Sequence, residues 1–242
     1  MGYVSDPIDS MNPGPYGRPR VRFSAIGDAR GLLISRPILW FLTAVLLFVC
    51  NGFILTVAFP VYQYQKIGRP GGFEFINPVS GDPTTSAVGT AVSSFVSWLI
   101  LGGMFRMSCA QIRGRAFGIE TFLSVLDVLP NLLLGSLLYA FVTLLGFGCL
   151  VIPGFIAQGV LMFMLPLIVD ARMPAGDAMA ASWRSLKGQW LHATLFHAVA
   201  TFFAGLGGCC CFPFGIAVTA PLYCLSITVL YRDFFLSQKD GA

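Results

Sequence analysis

Long apolar runs separated by short polar segments dominate this chain, and run length, more than periodicity, sets the first expectation. A helix that crosses a bilayer needs about 20 predominantly apolar residues. Six runs reach or approach that length: 37–62, 87–105, 132–152, 154–169, 191–208 and 214–231. Backbone N–H and C=O groups cannot go unpaired in lipid, so each run is expected to be helical. The pattern therefore predicts an all-α fold, a polytopic transmembrane bundle of six helices in hairpins. Pro153 separates the third run from the fourth, and CysCysCysPhePro (209–213) separates the fifth from the sixth. The fourth run is short, which places its ends in the headgroup region.

Two of the polar segments carry helical periodicity. In 174–190, Met179, Trp183, Leu186 and Trp190 recur at i, i+4, i+7 and i+11, one face of a helix, with Asp177, Arg184 and Lys187 off that stripe. In 117–127, Ile119, Phe122, Leu123 and Leu126 form a similar stripe opposite Glu120, Ser124 and Asp127. Both segments read as short amphipathic helices in the membrane interface. Packing of each stripe beneath the bundle is an equal and compatible reading.

The chain also repeats itself. At an offset of 60 residues, Gly148-Cys149-x-x-x-Pro153 matches Gly208-Cys209-x-x-x-Pro213, and the amphipathic segment 117–127 matches 177–187. Residues 115–172 and 175–233 read as two copies of one unit: interfacial helix, span, tight turn, span. Gly27-Asp28-Ala29 echoes Gly176-Asp177-Ala178 and suggests a weaker third copy before the first span. Copies with two spans each run in the same direction, unlike the inverted repeats of many transporters.

Composition agrees with the runs. Hydrophobic residues make up 56% and charged residues 11% of 242 residues, with mean hydropathy +0.77; soluble domains carry roughly 25% charged residues. The basic residues are unevenly placed. With six spans, thirteen of the fifteen Lys and Arg fall on one side, and only Lys66 and Arg69 on the other. The positive-inside rule then puts both termini in the cytosol. Residues 1–23, rich in Pro, Gly and Arg, are expected to be a flexible cytosolic tail, 24–236 the six-helix transmembrane domain and 237–242 a cytosolic C-terminal tail. The first basic stretch and first apolar run are both too long for a cleavable signal peptide.

Candidate chemistry is sparse. Ionisable groups inside a membrane are the default pointer to a site, and the spans hold almost none. His192 and His197 lie five residues apart, on different helix faces, so they make no i, i+4 metal pair. Asn51, Gln158 and His197 are the polar intramembrane residues, best read as interhelical hydrogen-bond partners. Cys149, Cys209, Cys210 and Cys211 are expected at the outer face, where a disulfide between Cys149 and one of the triplet competes with a packing role, the preferred reading. Absence of CxxC argues against zinc. Asp170, Arg172, Arg232 and Asp233 mark the membrane edge or pair with one another or with Arg184. Four-residue spacing of small residues (Ala200, Ala204 and Gly208; Gly89, Ser93 and Ser97) suits close helix packing, within the chain or with a second protomer. No catalytic set, P-loop, cofactor site, metal site or nucleic-acid patch is evident.

Several of these segments, ArgGlyArg-x-Phe (113–117), LeuGlyPheGlyCysLeuValIleProGly (145–154), AlaMetAlaAlaSerTrpArgSerLeuLysGly (178–188) and ThrAlaProLeu…TyrArgAsp (219–233), carry a resemblance. Residues 85–235 resemble a broad group of bacterial multi-pass proteins of unknown function, similar to the membrane domain attached to some glycerophosphodiester phosphodiesterases. The resemblance implies a six-helix bundle in a bacterial inner membrane. It carries over no chemistry, since the soluble phosphodiesterase barrel has no counterpart here. The expected role is therefore non-enzymatic: a structural protein, or a partner for other membrane components, in contact with the bilayer and open to homo-oligomerisation. A carrier or channel for a small apolar or lipid-like solute is the alternative.

Overall fold

The structure is a computed structural model that describes residues 19–45, 49, 83–210 and 214–236, with the backbone alone for 83–94, 208–210, 214 and 216. Among the described residues the regular structure is entirely helical. The helices are α1 (Ser24–Ser35), α2 (37–45), α3 (Pro83–Ile112), α4 (Ile119–Leu123, continued by a 3₁₀ turn Ser124–Val128), α5 (Leu129–Cys149), α6 (Val151–Val160), α7 (Met164–Val169), α8 (Ala175–Leu186), α9 (Trp190–Cys210) and α10 (Phe214–Tyr231), which closes in a π-helical turn Arg232–Leu236. Four stretches are long and apolar enough to cross a membrane: Phe95–Ile112, Ile119–Cys149, Val151–Val169 and Ala175–Gly207. The chain has the form of a helical membrane protein.

The same local succession occurs three times. A short helix turns into a second helix at Arg36, at Val128 and at Lys187–Gln189, giving α1–α2 (the latter described over 37–45), α4–α5 and α8–α9. Each short helix packs on a helix of a neighbouring unit: α1 on α10, α4 on α3, α8 on α7. Helices α3, α7 and α10 form the centre, with α3 touching both of the others. Where α7 and α10 meet, the ring of Phe163 lies 5.2–6.4 Å from those of Tyr231, Phe234 and Phe235. Helix α5 pairs with α6, α9 with α10, and α6 also packs on α9. At that last contact Gly159 is required for close approach, because a Cβ there would stand 2.7 Å from the backbone nitrogen of Thr194.

Several expected boundaries move. The second span extends to Ile112, so Arg106 is helical and is not a loop residue. The turn between the third and fourth spans falls at Leu150, which is extended, and Pro153 sits in the first turn of α6, where its missing N–H costs nothing. The fourth span, expected to be continuous, breaks at 161–163. The cause is Pro166, whose ring excludes a helical bond to the carbonyl of Met162 four residues earlier. The break is repaired from α8. The buried Ser182 hydroxyl donates to the Val160 carbonyl (2.7 Å) and accepts from the Phe163 N–H (3.3 Å). The segment 117–127 divides into one α turn and a 3₁₀ turn.

Of the expected free tail 1–23, residues 1–18 lie outside the described residues, and the segment from residue 19 onward is docked. Val21 is buried, its N–H donates to Gln189 Oε1 (2.9 Å), and Gln189 Nε2 donates to the Pro19 carbonyl (2.8 Å). Arg22 pairs with Asp28 and Asp233 (3.0 and 2.9 Å), tying the segment to the end of α10.

Candidate functional site

A cluster of charged side chains lies where α3, α7 and α10 terminate. A helix C-terminus carries partial negative charge that favours cations, and an arginine stands within three residues of the end of each central helix: Arg113, Arg172 and Arg232. Asp170, at the end of α7, is nearly buried, with only 8% of its side chain exposed. A buried carboxylate must be paired and hydrogen-bonded. Arg113 forms the ion pair, and the Tyr231 hydroxyl donates to Asp170 Oδ2 (3.0 Å). This cluster joins the three central helices.

Beside it opens a cleft of about 480 Å³ between α3, α4 and α7. Arg106, Arg113, Arg115 and Arg172 line it, with Glu120 and Asp170. Arg106 donates to the Ser124 carbonyl (2.7 Å) and stands 3.9 Å from Asp127, which also meets Arg172 at 3.4 Å. Four guanidinium groups thus face three carboxylates. Planar guanidinium groups match the oxygens of carboxylate and phosphate.

The sequence-predicted site residues lie elsewhere and do not converge. His197 is buried in α9, edge-on to Tyr223 with ring centroids 5.9 Å apart, and its Nδ1 has no hydrogen-bond partner among the described residues. Gln158 is half-buried on α6, and Asn51 lies outside the described residues. Cys149 is exposed at the end of α5, while Cys211 and the side chains of Cys209 and Cys210 lie outside the described residues. On α8 the inward face is Ala175, Ala178, Ala181, Ser182 and Leu186. Of the predicted stripe only Leu186 is fully buried; Met179 is half-buried, and Trp183 and Trp190 are exposed, as aromatic residues at a membrane–water boundary are. On α4, Phe122 turns inward while Ile119, Leu123 and Leu126 face outward. Of the small-residue sets, Ala200 is buried and Ser97 exposed. Neither Asp170 nor Arg172 pairs with Arg184: Asp170 takes Arg113 and Arg172 takes Asp127. Arg232 pairs with the adjacent Asp233.

The sequence reading missed the cleft, because its four arginines were legible only as markers of orientation. The available signal was three arginines at nearly equal spacing (113, 172 and 232), each beyond the end of an apolar run. Comparison with protein families, with curated proteins and with solved structures finds no match to this chain.

Proposed function

We propose that the protein is a six-span inner-membrane protein of three hairpins, with both termini cytosolic, that acts without chemistry of its own as a structural element or partner for other membrane components. The observation that supports this reading best is the filled centre. Side chains of α7 and of 224–231 in α10 are all buried, and most of them are apolar. Transport through the membrane interior needs a path lined by polar groups or water. Span count is supported by α10, 18 residues without a charge, and by the helical start of the first run at 37–45. Orientation rests on the thirteen-to-two split of basic residues. The resemblance to bacterial multi-pass proteins points to the inner membrane.

A carrier for a lipid-like solute is the second reading. The observation on its side is an apolar groove of about 470 Å³ between α1, α2 and α10, lined by Leu33, Ile38, Leu42 and Val218 among others. Reconstitution into sealed vesicles separates the two. The structural reading predicts no solute or lipid translocation above protein-free vesicles; protein-dependent flux overturns it. Impermeant labelling of single cysteines checks topology: position 66 reacts from outside the cell and position 184 does not, and the reverse pattern overturns the orientation.

A further inference from the structure

We propose that the cleft between α3, α4 and α7 is a phosphate-binding site. Its floor and rim hold more cationic groups than the fold needs for its own ion pairs. Arg113 is committed to Asp170. Arg106 bonds the Ser124 carbonyl, and its Nη2 stands 3.9 Å from Asp127, within reach of a closer acceptor. Arg115 has no acidic partner within 4 Å among the described residues, yet it lines the same cleft.

The second observation is backbone strain at Arg172. Helices α3 and α7 both end in a left-handed residue. At the end of α3 this is Gly114 (φ 67°), which turns Arg113 and Arg115 to the cleft; at the end of α7 it is Arg172 (φ 54°). Glycine takes this conformation freely, whereas a residue with a side chain is strained in it. The Arg172–Asp127 pair does not offset that loss, since the two side chains are 64% and 57% exposed and such pairs contribute little. Strain held without a stabilising return marks a residue kept for what it contacts. A guanidinium at the mouth of a cleft already holding three others matches the oxygens of a phosphate group.

Two sources of that phosphate share this chemistry: a glycerophospholipid headgroup and a soluble phosphate. The outward Ile119, Leu123 and Leu126 of α4 offer an apolar flank to an acyl chain next to the cleft, and this favours the lipid. Glu120, the third acidic group at the cleft, has no ion pair among the described residues and limits how many phosphates enter. The inference holds whichever side of the membrane the cleft faces and whatever the number of spans.

Full-length protein in lipid-depleted detergent is titrated with phosphatidylglycerol, with diacylglycerol of the same chains, and with inorganic phosphate. Native mass spectrometry reads bound lipid and calorimetry reads phosphate. Phosphatidylglycerol is expected to bind and diacylglycerol not. Arg115→Ala and Arg172→Gly are each expected to weaken binding about tenfold or more, the loss of one charge-assisted hydrogen bond. Asp127→Asn is expected to strengthen it by releasing Arg106 and Arg172. Because glycine relieves the strain at 172, Arg172→Gly keeps or gains thermal stability, which separates lost binding from lost folding. Competition by millimolar inorganic phosphate assigns the site to a soluble phosphate; its absence assigns it to the lipid. Equal binding by all three variants and wild type, or no binding of either phosphate, overturns the proposal.

Discussion

The second long helix of each repeated unit and the first differ more than their sequences suggest. Both are apolar, yet 67% of an 18-residue window of Val151–Val169 is buried within the protein against 17% of one in Ile119–Cys149. Between units the difference has the same direction: 39% for Phe95–Ile112, a second helix, against 22% for Ala175–Gly207, which holds the first helix of another unit. Helices α3, α6–α7 and α10 are the core; α5 and α9 are the shell. Leu134, Leu137, Phe141 and Leu144 of α5 are about half exposed or more, which in water would be an aggregation hazard. In a bilayer the same face is solvated, because acyl chains are as apolar as leucine. Apolarity therefore says that a helix crosses the membrane. Burial says which helix holds the protein together.

This contrast can be attacked directly. The largest effect is expected at Ser182, whose hydroxyl satisfies two backbone groups at the α6–α7 break. Ser182→Ala removes only the hydroxyl and leaves the Phe163 N–H and Val160 C=O unpaired where no water reaches them, a loss of about 3 kcal/mol. Thermal unfolding in detergent should show a clear drop, and an unchanged midpoint breaks the account of the break. Next comes Leu167→Ala in the core helix α7, where Leu167 is 2% exposed. With no transfer from water to lose, the packing and cavity part remains, about 2 kcal/mol. Smallest is Leu144→Ala on the shell helix α5, 73% exposed, expected within about 0.5 kcal/mol. Equal losses at 167 and 144 would erase the distinction between core and shell.

The membrane character and four long apolar helices were legible because run length is a local property. The sixth run was placed to the residue, 214–231. The break in the fourth was written in Pro166, whose effect a hydropathy reading averages away. Amphipathic stripes located α4 and α8 but not the way they face: in a membrane protein large apolar side chains face lipid as readily as protein, so Ala175, Ala178 and Ala181, not Trp183 and Trp190, mark the inner side of α8. Docking of residues 19–22 through Gln189 was illegible, since it joins positions nearly 170 residues apart. The cleft was hidden for the same reason. Arg106 and Arg172 are far apart in the chain and meet only because α3 and α7 pack side by side.

The most direct test of the core-and-shell arrangement is spin labelling of the membrane-reconstituted protein at single cysteines, comparing collision with oxygen dissolved in the acyl region. Labels at 137, 141 and 144 on α5 should be freely accessible, and labels at 167 on α7 and 225 and 229 on α10 should be shielded and immobile. Shielded labels on α5 together with accessible labels on α7 and α10 would contradict the arrangement.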